Sequence, residues 1–591
     1  MRVVVCFVGW DQKAETMARI RKIEIANFRG IRSLTWRPAP GINCLIGPGD
    51  SGKSTVLDAI DLCLGARRNI QFSDADFFNL DVKQAISICL TIGELDDALK
   101  NFETYGLFLR GFDLAPGMVE DEPEKELETV LSLMLMVQSD LEPAWTLISD
   151  RATAQNVTRN LTWADRMELS PTRIGALAES NLGWRRGSVL NRLTDEKADA
   201  SAALVQAARD ARDAFGDDAA PQLAETLRIV GEAAKELGIN VGDKVRALLD
   251  AHAATFAGGT ISLHNEQGVP LRGLGIGSAR LLVAGLQKKA AAHSTVVLVD
   301  ELEHGLEPHR IIRFLGSLGT KEKTPSLQIF MTTHSPVALR ELSGEQLFVL
   351  RESGGQHVVT TVGTDDGIQG TIRFFPDAFL APSVLVCEGA SEVGLMRGLD
   401  QYFTARGKIS LSARGVALID CGGGGADRPF ERAAAFHKLG YRVAVLRDDD
   451  KKPTASIEKA FTDAGNAVFA WRTDRALEDE LFISLTDAAV SKMLDYAVEL
   501  YGNTLIDDHI KSATRGAKAL ASVQVEPLLA GFTAETRMML GKAARGRNAS
   551  WFKSVTKMEH VAREIVGPDL SGSTEGFRAI IAGLFAWVAY A

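Results

Sequence analysis

Short apolar runs, helical stretches and polar turns follow one another along this chain of 591 residues in an order that predicts separate regions. Residues 17–95 alternate apolar and polar positions in short strands. From 96 to 260 the pattern becomes helical, with many alanines and charges and without a strand-rich rhythm. Short apolar strands return over 261–375. Past a proline-marked junction, a new alternation of strands and helices begins at Val384.

These patterns predict an α/β protein of several domains, since a chain of this length exceeds a single core. We set boundaries near residues 95, 260, 375 and 490. The last part, 491–591, reads as mostly helical. We expect residues 1–16 to be an extension with no role in the fold. The region 96–260 lacks sustained heptads, which disfavours a long coiled-coil arm.

Composition narrows the class of protein. Hydrophobic residues make up 46% and charged residues 24%, as in ordinary soluble globular proteins, and the net charge is −10. Any contact with nucleic acid must therefore come from a local basic patch. The six cysteines include no C-x-x-C pair, which indicates reduced thiols in a cytoplasmic protein. No apolar run reaches about 18 residues, so we expect no membrane span.

The segment Gly47–Ser54, GPGDSGKS, matches the pattern G-x-x-x-x-G-K-[ST] in full. It follows the apolar run Ile42–Ile46, which predicts a buried strand, and it opens an amphipathic helix over Thr55–Leu64. Glycines let backbone N–H groups close around phosphates, and the helix start adds a favourable dipole. Lys53 is expected on the β/γ-phosphates and Ser54 on Mg²⁺. We predict that ATP binds to Gly47, Pro48, Gly49, Asp50, Ser51, Gly52, Lys53, Ser54 and Thr55.

A second apolar run, Val296–Val299, predicts a buried parallel strand that presents Asp300 and Glu301 at its carboxyl end. We expect Asp300 to hold Mg²⁺ through water and Glu301 to polarise the attacking water. A third strand, Leu327–Met331, leads to His334. Its predicted role is that of a γ-phosphate sensor, and a simple capping residue is the alternative.

These pieces resemble the ABC-type ATPase heads of the SMC and RecF-like superfamily. The segment 23–30 looks like its first strand and turn, 302–308 like its D-loop, and His334 like its switch histidine. The segment 274–280 lies where such proteins carry the signature motif, although Gly275 replaces the usual serine. The resemblance implies an ATPase head in two lobes, 17–95 and 261–375, with the helical region 96–260 inserted between them for dimerisation. It also implies ATP held between two heads of a homodimer.

Carboxylates recur at the ends of the next predicted strands. Val384–Cys387 ends at Glu388, with Glu392 in the first turn of the following helix. A later strand, 443–446, precedes three aspartates, Asp448, Asp449 and Asp450. Parallel strands present their carboxyl ends on one sheet edge, so Glu388 and the aspartates are expected to converge. Oxygen ligands without histidine or cysteine favour Mg²⁺ or Mn²⁺, which serve phosphodiester cleavage.

This arrangement resembles the Toprim domain, over residues 376–490. An ABC head followed by Toprim resembles the OLD (overcoming lysogenisation defect) family of ATP-linked nucleases, many of them tied to defence against phage. The resemblance implies metal ligands at Glu388, Glu392, Asp448 and Asp450. A later family acid corresponds to Glu478 or Glu480, and a lysine that stabilises the developing phosphorane charge corresponds to Lys553 or Lys557.

A basic stretch surrounds those lysines in an otherwise acidic chain. It is the best candidate for contact with a DNA backbone, and such contact would be sensitive to salt and largely independent of sequence. A solvated helix face is the alternative. The stretch comprises Arg537, Lys542, Arg545, Arg547, Lys553 and Lys557.

The leading hypothesis is therefore a dimeric or larger ATP-binding, metal-dependent DNA endonuclease or nickase that acts in defence. A second hypothesis is an ATP-gated sensor or scaffold whose Toprim domain is structural and whose chemistry is done by a partner protein encoded nearby. A third is a chromosome-maintenance ATPase of the recombination-mediator type, which the carboxylates of the C-terminal half disfavour.

Overall fold

The computed structural model describes residues 18–67, 70–175, 181–182, 188–190, 193, 206–207, 209–210, 214, 221–236, 263–290, 295–472, 474–546 and 549–589. The chain divides into two units. The first is drawn from Met1–Arg29, Arg37–Ile42 and Val56–Met331, and the second from Gly30–Trp36, Asn43–Thr55 and Thr332–Ala591. Within the described ranges, no helix is both long enough and apolar enough to cross a membrane.

The N-terminal third of the chain is rich in strands. The strands are β1 (Arg19–Phe28), β2 (Ile31–Trp36), β3 (Ile42–Ile46), β4 (Ile86–Gly93), β5 (Arg110–Phe112), β6 (Val119–Glu120), β7 (Glu128–Val137) and β8 (Pro143–Leu147). The helices between and after them are α1 (Lys53–Leu64), α2 (Phe102–Tyr105), α3 (Asp150–Ala154) and α4 (Trp163–Leu169).

The helical pattern expected from residue 96 is wrong over 110–147. There β7 pairs antiparallel with β4, and β5 and β8 pair with β7. Seven of the ten residues in the run ETVLSLMLMV of β7 are apolar and they do not alternate strictly with polar ones, so its periodicity does not separate a helix from a strand. Pairing with β4 decides the outcome. Most of the insert from residue 176 onward lies outside the described residues, and its predicted dimerisation role stays a prediction.

The remaining elements of the first unit include a short strand that has a parallel neighbour on each side. In chain order the unit continues with β9 (Thr172–Arg173), α5 (Ala224–Glu236), α6 (Ile276–Lys289), β10 (Val296–Val299), α7 (Pro308–Ser317) and β11 (Gln328–Thr332). Strand β10 pairs in parallel with β9 and with β11. All four of its residues are buried, as expected of a central parallel strand.

The second unit begins with β2 and β3 and continues after β11. Its next elements are α8 (Pro336–Glu341), β12 (Leu347–Ser353), β13 (Gln356–Thr361) and α9 (Asp366–Phe374). Strand β12 pairs in parallel with β3 and antiparallel with β13. The hairpin between β12 and β13 turns at Gly354 and Gly355, whose φ angles of 60° and 78° suit the twist of the two strands.

A separate four-stranded sheet follows, with all strands parallel in the order β15-β14-β16-β17. Because β14 lies between β15 and β16, the strand order reverses beside it, and ligands of such sheets bind at that point. The elements are β14 (Ser383–Cys387), α10 (Ala390–Thr404), β15 (Val416–Asp420), α11 (Arg428–Lys438), β16 (Arg442–Arg447), α12 (Ala455–Asp463) and β17 (Ala467–Ala470).

The C-terminal helices share one hydrophobic core with this sheet. Leu385 of β14 and Leu446 of β16 belong to the same buried cluster as Leu481, Leu540 and Trp551. The sheet edge is therefore held in a fixed relation to the helices beside it. These helices are α13 (Leu477–Ser484), α14 (Asp487–Thr514), α15 (Leu520–Leu529), α16 (Ala534–Ala544), α17 (Val555–Val561), α18 (Gly567–Asp569) and α19 (Glu575–Ala589).

Candidate functional site

The predicted phosphate loop connects β3 to α1. Gly47 has φ 140°, and a Cβ there would lie 2.7 Å from the carbonyl oxygen of Leu350. Gly52 has φ 87°, in the region that favours glycine. The glycines of the motif are thus required by the backbone of the loop itself.

Lys53 lies inside this loop. Its buried ammonium donates hydrogen bonds to the carbonyl oxygens of Gly47 (3.1 Å) and Pro48 (2.6 Å) and to the hydroxyl of Ser51 (3.3 Å). The backbone of the loop therefore surrounds the side chain of Lys53 and is held by its hydrogen bonds. Ser54 and Thr55 follow in the first turn of α1, as the motif predicts.

The acidic end of β10 lies in the first unit. The carboxylate of Asp300 is 3.5 Å from the guanidinium of Arg173, which also pairs with Asp58 at 2.7 Å and Asp61 at 3.3 Å. Arg173 carries no signal in the sequence, because the residues that it contacts are far apart along the chain. Glu301 has φ 45°, an uncommon conformation for a residue with a side chain, and its side chain is 62% exposed.

His334 lies in the second unit, in the turn between β11 and α8. Its side chain is exposed, and the next residue, Ser335, donates its backbone N–H to the hydroxyl of Thr333 at 3.0 Å. The predicted role of His334 as a phosphate sensor stays a prediction.

Four carboxylates come together beside the switch point of the four-stranded sheet, and we call them the repelling cluster. Cys387 pairs with Leu446 across β14 and β16, so the residues that follow these two strands share one edge. Asp448 donates its backbone N–H to Glu388 Oε2 at 3.0 Å, and Asp448 Oδ1 accepts the N–H of Leu477 at 2.9 Å. The repelling cluster comprises Glu388, Glu392, Asp448 and Glu478.

Helices α10 and α13 supply the other two members of the cluster. Glu392 lies in the first turn of α10, where its Oε2 accepts the backbone N–H of Gly389 at 3.0 Å. A carboxylate is favourable at a helix start because it satisfies a free N–H group. Glu478 lies in the first turn of α13 and is 5% exposed. Each side chain is thus placed by the element that carries it.

Burial and mutual repulsion dominate the electrostatics of the repelling cluster. Burial, followed by the charges of Asp448, Glu478 and Glu388, raises the pKa of Glu392 well above its usual value. Burial and then the charge of Glu478 raise the pKa of Asp448 well above its usual value, and burial raises the pKa of Glu388 and of Glu478. Carboxylates crowded in this way favour a bound cation or proton.

Two neighbouring acids have the opposite surroundings, and we call them the paired acids. Asp449 accepts hydrogen bonds from Arg447 at 2.8 Å and from Lys452, and these bonds lower its pKa although burial opposes them. Glu480 is fully buried, and hydrogen bonds from Arg472, Ser484 and Arg475 lower its pKa against the effect of burial. The paired acids are Asp449 and Glu480.

Asp450 lies at the border of the repelling cluster and carries its own counter-ion. Arg545 of the C-terminal helices donates to Asp450 at 3.1 Å and lies 2.9 Å from Asp479. The charge of Asp450 contributes to the raised pKa of Glu388 and of Asp448. Asp479 and its contact with Arg545 were missed by the sequence analysis, since spacing alone does not show which helix covers the sheet edge.

The residues of the basic stretch have different surroundings in the structure. Arg537 donates to the carbonyl oxygens of Phe482 and Leu485, both at 2.7 Å, so it holds the end of α13 and does not face solvent as expected of a DNA contact. Lys557 donates to the hydroxyl of Tyr501 at 2.5 Å. Lys553 is exposed, and its charge opposes the rise in the pKa of Glu478. Lys542 is also exposed, and Arg547 lies outside the described residues.

The repelling cluster fits a divalent cation by its chemistry. Its groups are hard carboxylate oxygens, which Mg²⁺ and Mn²⁺ prefer, two of them are buried and two half-buried, and their charges repel one another. Within the described part of the chain, no three acidic, histidine or cysteine side chains already stand together in the manner of a metal centre. The side chains would therefore have to reorient when a cation binds.

Two family models match the chain. Residues 42–340 match the family described as "AAA domain, putative AbiEii toxin, Type IV TA system". Residues 379–450 match "Overcoming lysogenization defect protein-like, TOPRIM domain". The second match contains Glu388, Glu392, Asp448 and Asp450. The two matches confirm the predicted order of an ATPase domain followed by a Toprim domain.

Similar proteins extend this result. The OLD nuclease of Thermus scotoductus is 24% identical over 436 residues, which cover 68% of this chain and 77% of that protein. The DNA replication and repair protein RecF of Chlorobium luteolum is 47% identical over 45 residues, 8% of this chain, so the chain spans only 12% of that relative. The solved Smc head domain derived from Pyrococcus furiosus, bound to the C-terminal domain of ScpA, is 14% identical, with a TM-score of 0.33, and covers 58% of this chain and 96% of that one.

The ATPase model covers just over half of the chain, and the match to the Toprim model begins further along, at residue 379. The chain belongs to the AAA-domain family of the first model, and a region that matches the overcoming lysogenization defect protein-like TOPRIM domain lies C-terminal to that domain.

Proposed function

We propose that this protein binds and hydrolyses ATP and is a divalent-metal-dependent DNA endonuclease or nickase, acting as a homodimer or larger homo-oligomer in defence against phage or mobile elements. One observation carries the proposal. Four carboxylates with raised pKa values, two of them buried and two half-buried, converge at the switch point of a parallel sheet, and three of the four lie inside the region that matches the OLD-like TOPRIM model. A protein built for stability alone would pair or neutralise such charges.

The phosphate loop and the end of β10 support the ATPase half of the proposal. The ammonium of Lys53 lies inside the loop from Gly47 to Ser54, against the carbonyl oxygens of Gly47 and Pro48, where the motif requires the lysine that contacts phosphate. Ser54 and Asp300 are the proposed ligands of the nucleotide's Mg²⁺, Glu301 the proposed general base and His334 the proposed sensor. Replacing Glu301 with Gln should leave ATP binding intact and slow hydrolysis, whereas unchanged turnover would contradict the assignment of the base.

The sheet edge supports the nuclease half. Glu388, Glu392, Asp448 and Glu478 are the proposed ligands, with Asp450 beside them. Divalent cations held there, Mg²⁺ or Mn²⁺, would activate water and neutralise the leaving oxygen. The proposed role of Lys553 or Lys557 is to stabilise charge on the scissile phosphate. Lys553, which is exposed beside Glu478, is better placed than Lys557, which contacts Tyr501.

Cleavage of supercoiled plasmid DNA tests the nuclease directly. The purified chain is incubated with Mg²⁺ or Mn²⁺, with and without ATP, and nicked and linear products are measured. We expect cleavage by the wild type and loss of cleavage in Glu388→Gln. A matched control is Asp463→Asn, which removes an exposed carboxylate on α12 of the same domain. Equal metal-dependent cleavage by all three proteins would contradict the proposal.

A second function has one observation in its favour. Arg545 forms ion pairs with Asp450 and Asp479. In the described part of the chain the carboxylates are not arranged as the ligands of a metal centre. A sensor or scaffold ATPase that acts through a protein encoded nearby would need no such centre. It predicts assembly that depends on ATP without DNA cleavage by the purified chain.

The proposed defence role rests on the resemblance to the OLD family. Plating phages on cells that carry the wild-type gene, Glu388→Gln or Asp463→Asn tests it. Protection by the wild type and by Asp463→Asn, but not by Glu388→Gln, is the expected result. Protection by Glu388→Gln equal to that of the wild type would separate defence from DNA cleavage.

A further inference from the structure

Arg280, in helix α6, is a fully buried arginine that points at the end of β10. Its guanidinium donates to the backbone carbonyl oxygens of Asp300 at 3.2 Å, Glu301 at 3.1 Å, His304 at 2.7 Å and Ile174 at 3.4 Å. The planar guanidinium presents several N–H groups in a fixed geometry, so one side chain holds several carbonyl groups at once. Arg280 therefore fixes the backbone of the turn after β10.

This turn carries the two carboxylates proposed for ATP hydrolysis. Glu301 adopts φ 45°, which residues with side chains rarely do, and the bond from Arg280 to its carbonyl holds that conformation. The conformation aims the side chain of Glu301 outward, where it is 62% exposed. The position of the proposed base thus depends on a residue of another helix.

A second contact ties the same helix to the same turn. Gly277, in the first turn of α6, lies so close to Gly305 that a Cβ at position 277 would be 2.2 Å from the carbonyl oxygen of Gly305. Gly305 has φ 71°, and a Cβ there would approach Ile276 to 3.0 Å. The start of α6 and the turn after β10 are therefore packed as one body, independently of the bonds from Arg280.

We propose that Arg280 is a positioning residue for ATP hydrolysis, which couples the position of helix α6 to the backbone of Asp300 and Glu301. Any ligand or second copy of this chain that binds the exposed start of α6 would then move or hold the proposed base. The proposal rests on the proposed ATPase function and adds to it the element that controls the catalytic turn.

Three variants in α6 test the coupling in the full-length chain. Arg280→Lys keeps the charge but cannot reach all four carbonyl groups. Gly277→Ala leaves Arg280 in place and pushes the turn away, through the predicted overlap with Gly305. Gly285→Ala is the matched control, because a Cβ at position 285 would meet nothing within 4 Å. Steady-state ATP hydrolysis, binding of a fluorescent ATP analogue and thermal unfolding are measured for each.

We expect Arg280→Lys and Gly277→Ala to lower kcat by about 10- to 100-fold, since small misplacements of a catalytic group have effects of this size. KM and the affinity for the analogue should change by less than about twofold, because the phosphate loop is untouched. Gly285→Ala should behave as the wild type does.

Two results would overturn the inference while leaving the proposed ATPase intact. In the first, both variants hydrolyse ATP at the wild-type rate. In the second, kcat, nucleotide affinity and the unfolding temperature fall together, which indicates a structural role only. A wild-type chain that binds but does not hydrolyse ATP would instead overturn the proposed ATPase activity and the inference with it.

Discussion

The acids around the Toprim sheet edge divide into two sets that are neighbours in sequence and opposites in environment. Asp448 and Glu478 belong to the repelling cluster, where burial raises the pKa of both residues. The charges of Glu478 and Glu388 raise the pKa of Asp448 further. Asp449 and Glu480, one and two residues away, are the paired acids, whose basic neighbours lower their pKa values. Carboxylates of the same residue type that lie one or two positions apart in the sequence therefore have pKa values shifted in opposite directions.

The difference separates two uses of a buried charge. A paired acid stabilises the fold as long as its basic partners remain. The ion pair as a whole nevertheless contributes little more stability than apolar packing would in its place. The repelling cluster costs stability in the absence of a cation, and such a cost persists in proteins at sites where the charge has a function. The cluster is therefore the part of the domain that ligand binding should change most.

The largest expected effect on stability is at Glu480. Glu480→Gln leaves Arg472 and Arg475 beside a neutral group in a buried position, which should lower the free energy of unfolding by about 3–5 kcal/mol. Urea unfolding with EDTA measures it, and Glu478→Gln, two residues away, is the matched variant. If the free energy of unfolding fell less in Glu480→Gln than in Glu478→Gln, the proposed difference between the paired acids and the repelling cluster would be contradicted.

A comparison of two adjacent aspartates should separate activity from folding. Asp448→Asn is expected to lower plasmid cleavage by at least about 100-fold, an effect of about 2.7 kcal/mol on the barrier, while the domain stays folded. Asp449→Asn removes charged hydrogen bonds from Arg447 and Lys452 and should lower stability by about 1.5–3 kcal/mol. Rates of cleavage are compared at a temperature at which both variants are folded. Equal loss of cleavage in both would mean that the two sets share one role.

Removing a single charge from the repelling cluster should stabilise the cation-free protein. Glu392→Gln keeps an oxygen that can accept the N–H of Gly389 but removes repulsion with Asp448, Glu478 and Glu388. We expect the free energy of unfolding in EDTA to rise, because the substitution removes repulsion between buried like charges. Differential scanning calorimetry measures the change. A loss of stability in EDTA would show that repulsion does not dominate the cluster.

The smallest expected effect is on the pH dependence of stability. An acid with a raised pKa binds more protons in the folded chain, so in EDTA the contribution of Glu392 and Asp448 falls as pH rises above their unfolded pKa values of about 4. The paired acids do the reverse, since the stability they contribute is lost as pH falls through their lowered pKa values. Glu392→Gln should flatten the first dependence, and Glu480→Gln the second. Unfolding by urea at a series of pH values measures both slopes.

The strand ends of the site were predictable from the sequence, and the choice among neighbouring acids was not. A buried apolar strand that ends in an acid identifies Glu388, and a second parallel strand identifies the aspartates near 448. The sequence left Glu478 and Glu480 as alternatives, because the partners of Glu480, Arg472 and Arg475, are recognisable only when β17 and α13 are in place.

The remaining differences have equally physical causes. The strands over 110–147 were missed because the apolar residues of β7, seven of ten, do not alternate strictly with polar ones and because its pairing with β4 is a long-range contact. The sequence placed Arg280 at the end of the signature-like segment 274–280 but did not show its contacts, since its acceptors are backbone carbonyl groups that any residue supplies. Arg537 was expected to contact DNA as one of a run of basic residues, yet it contacts carbonyl groups at the end of α13.

The binding of Mn²⁺ to the nucleotide-free, full-length chain tests most directly whether Asp448 and its neighbours act together as ligands of a cation. Titration followed by electron paramagnetic resonance should show Mn²⁺ bound to the wild type and to Asp463→Asn. Asp448→Asn should bind Mn²⁺ at least about tenfold more weakly. Equal binding by Asp448→Asn and the wild type would contradict the account.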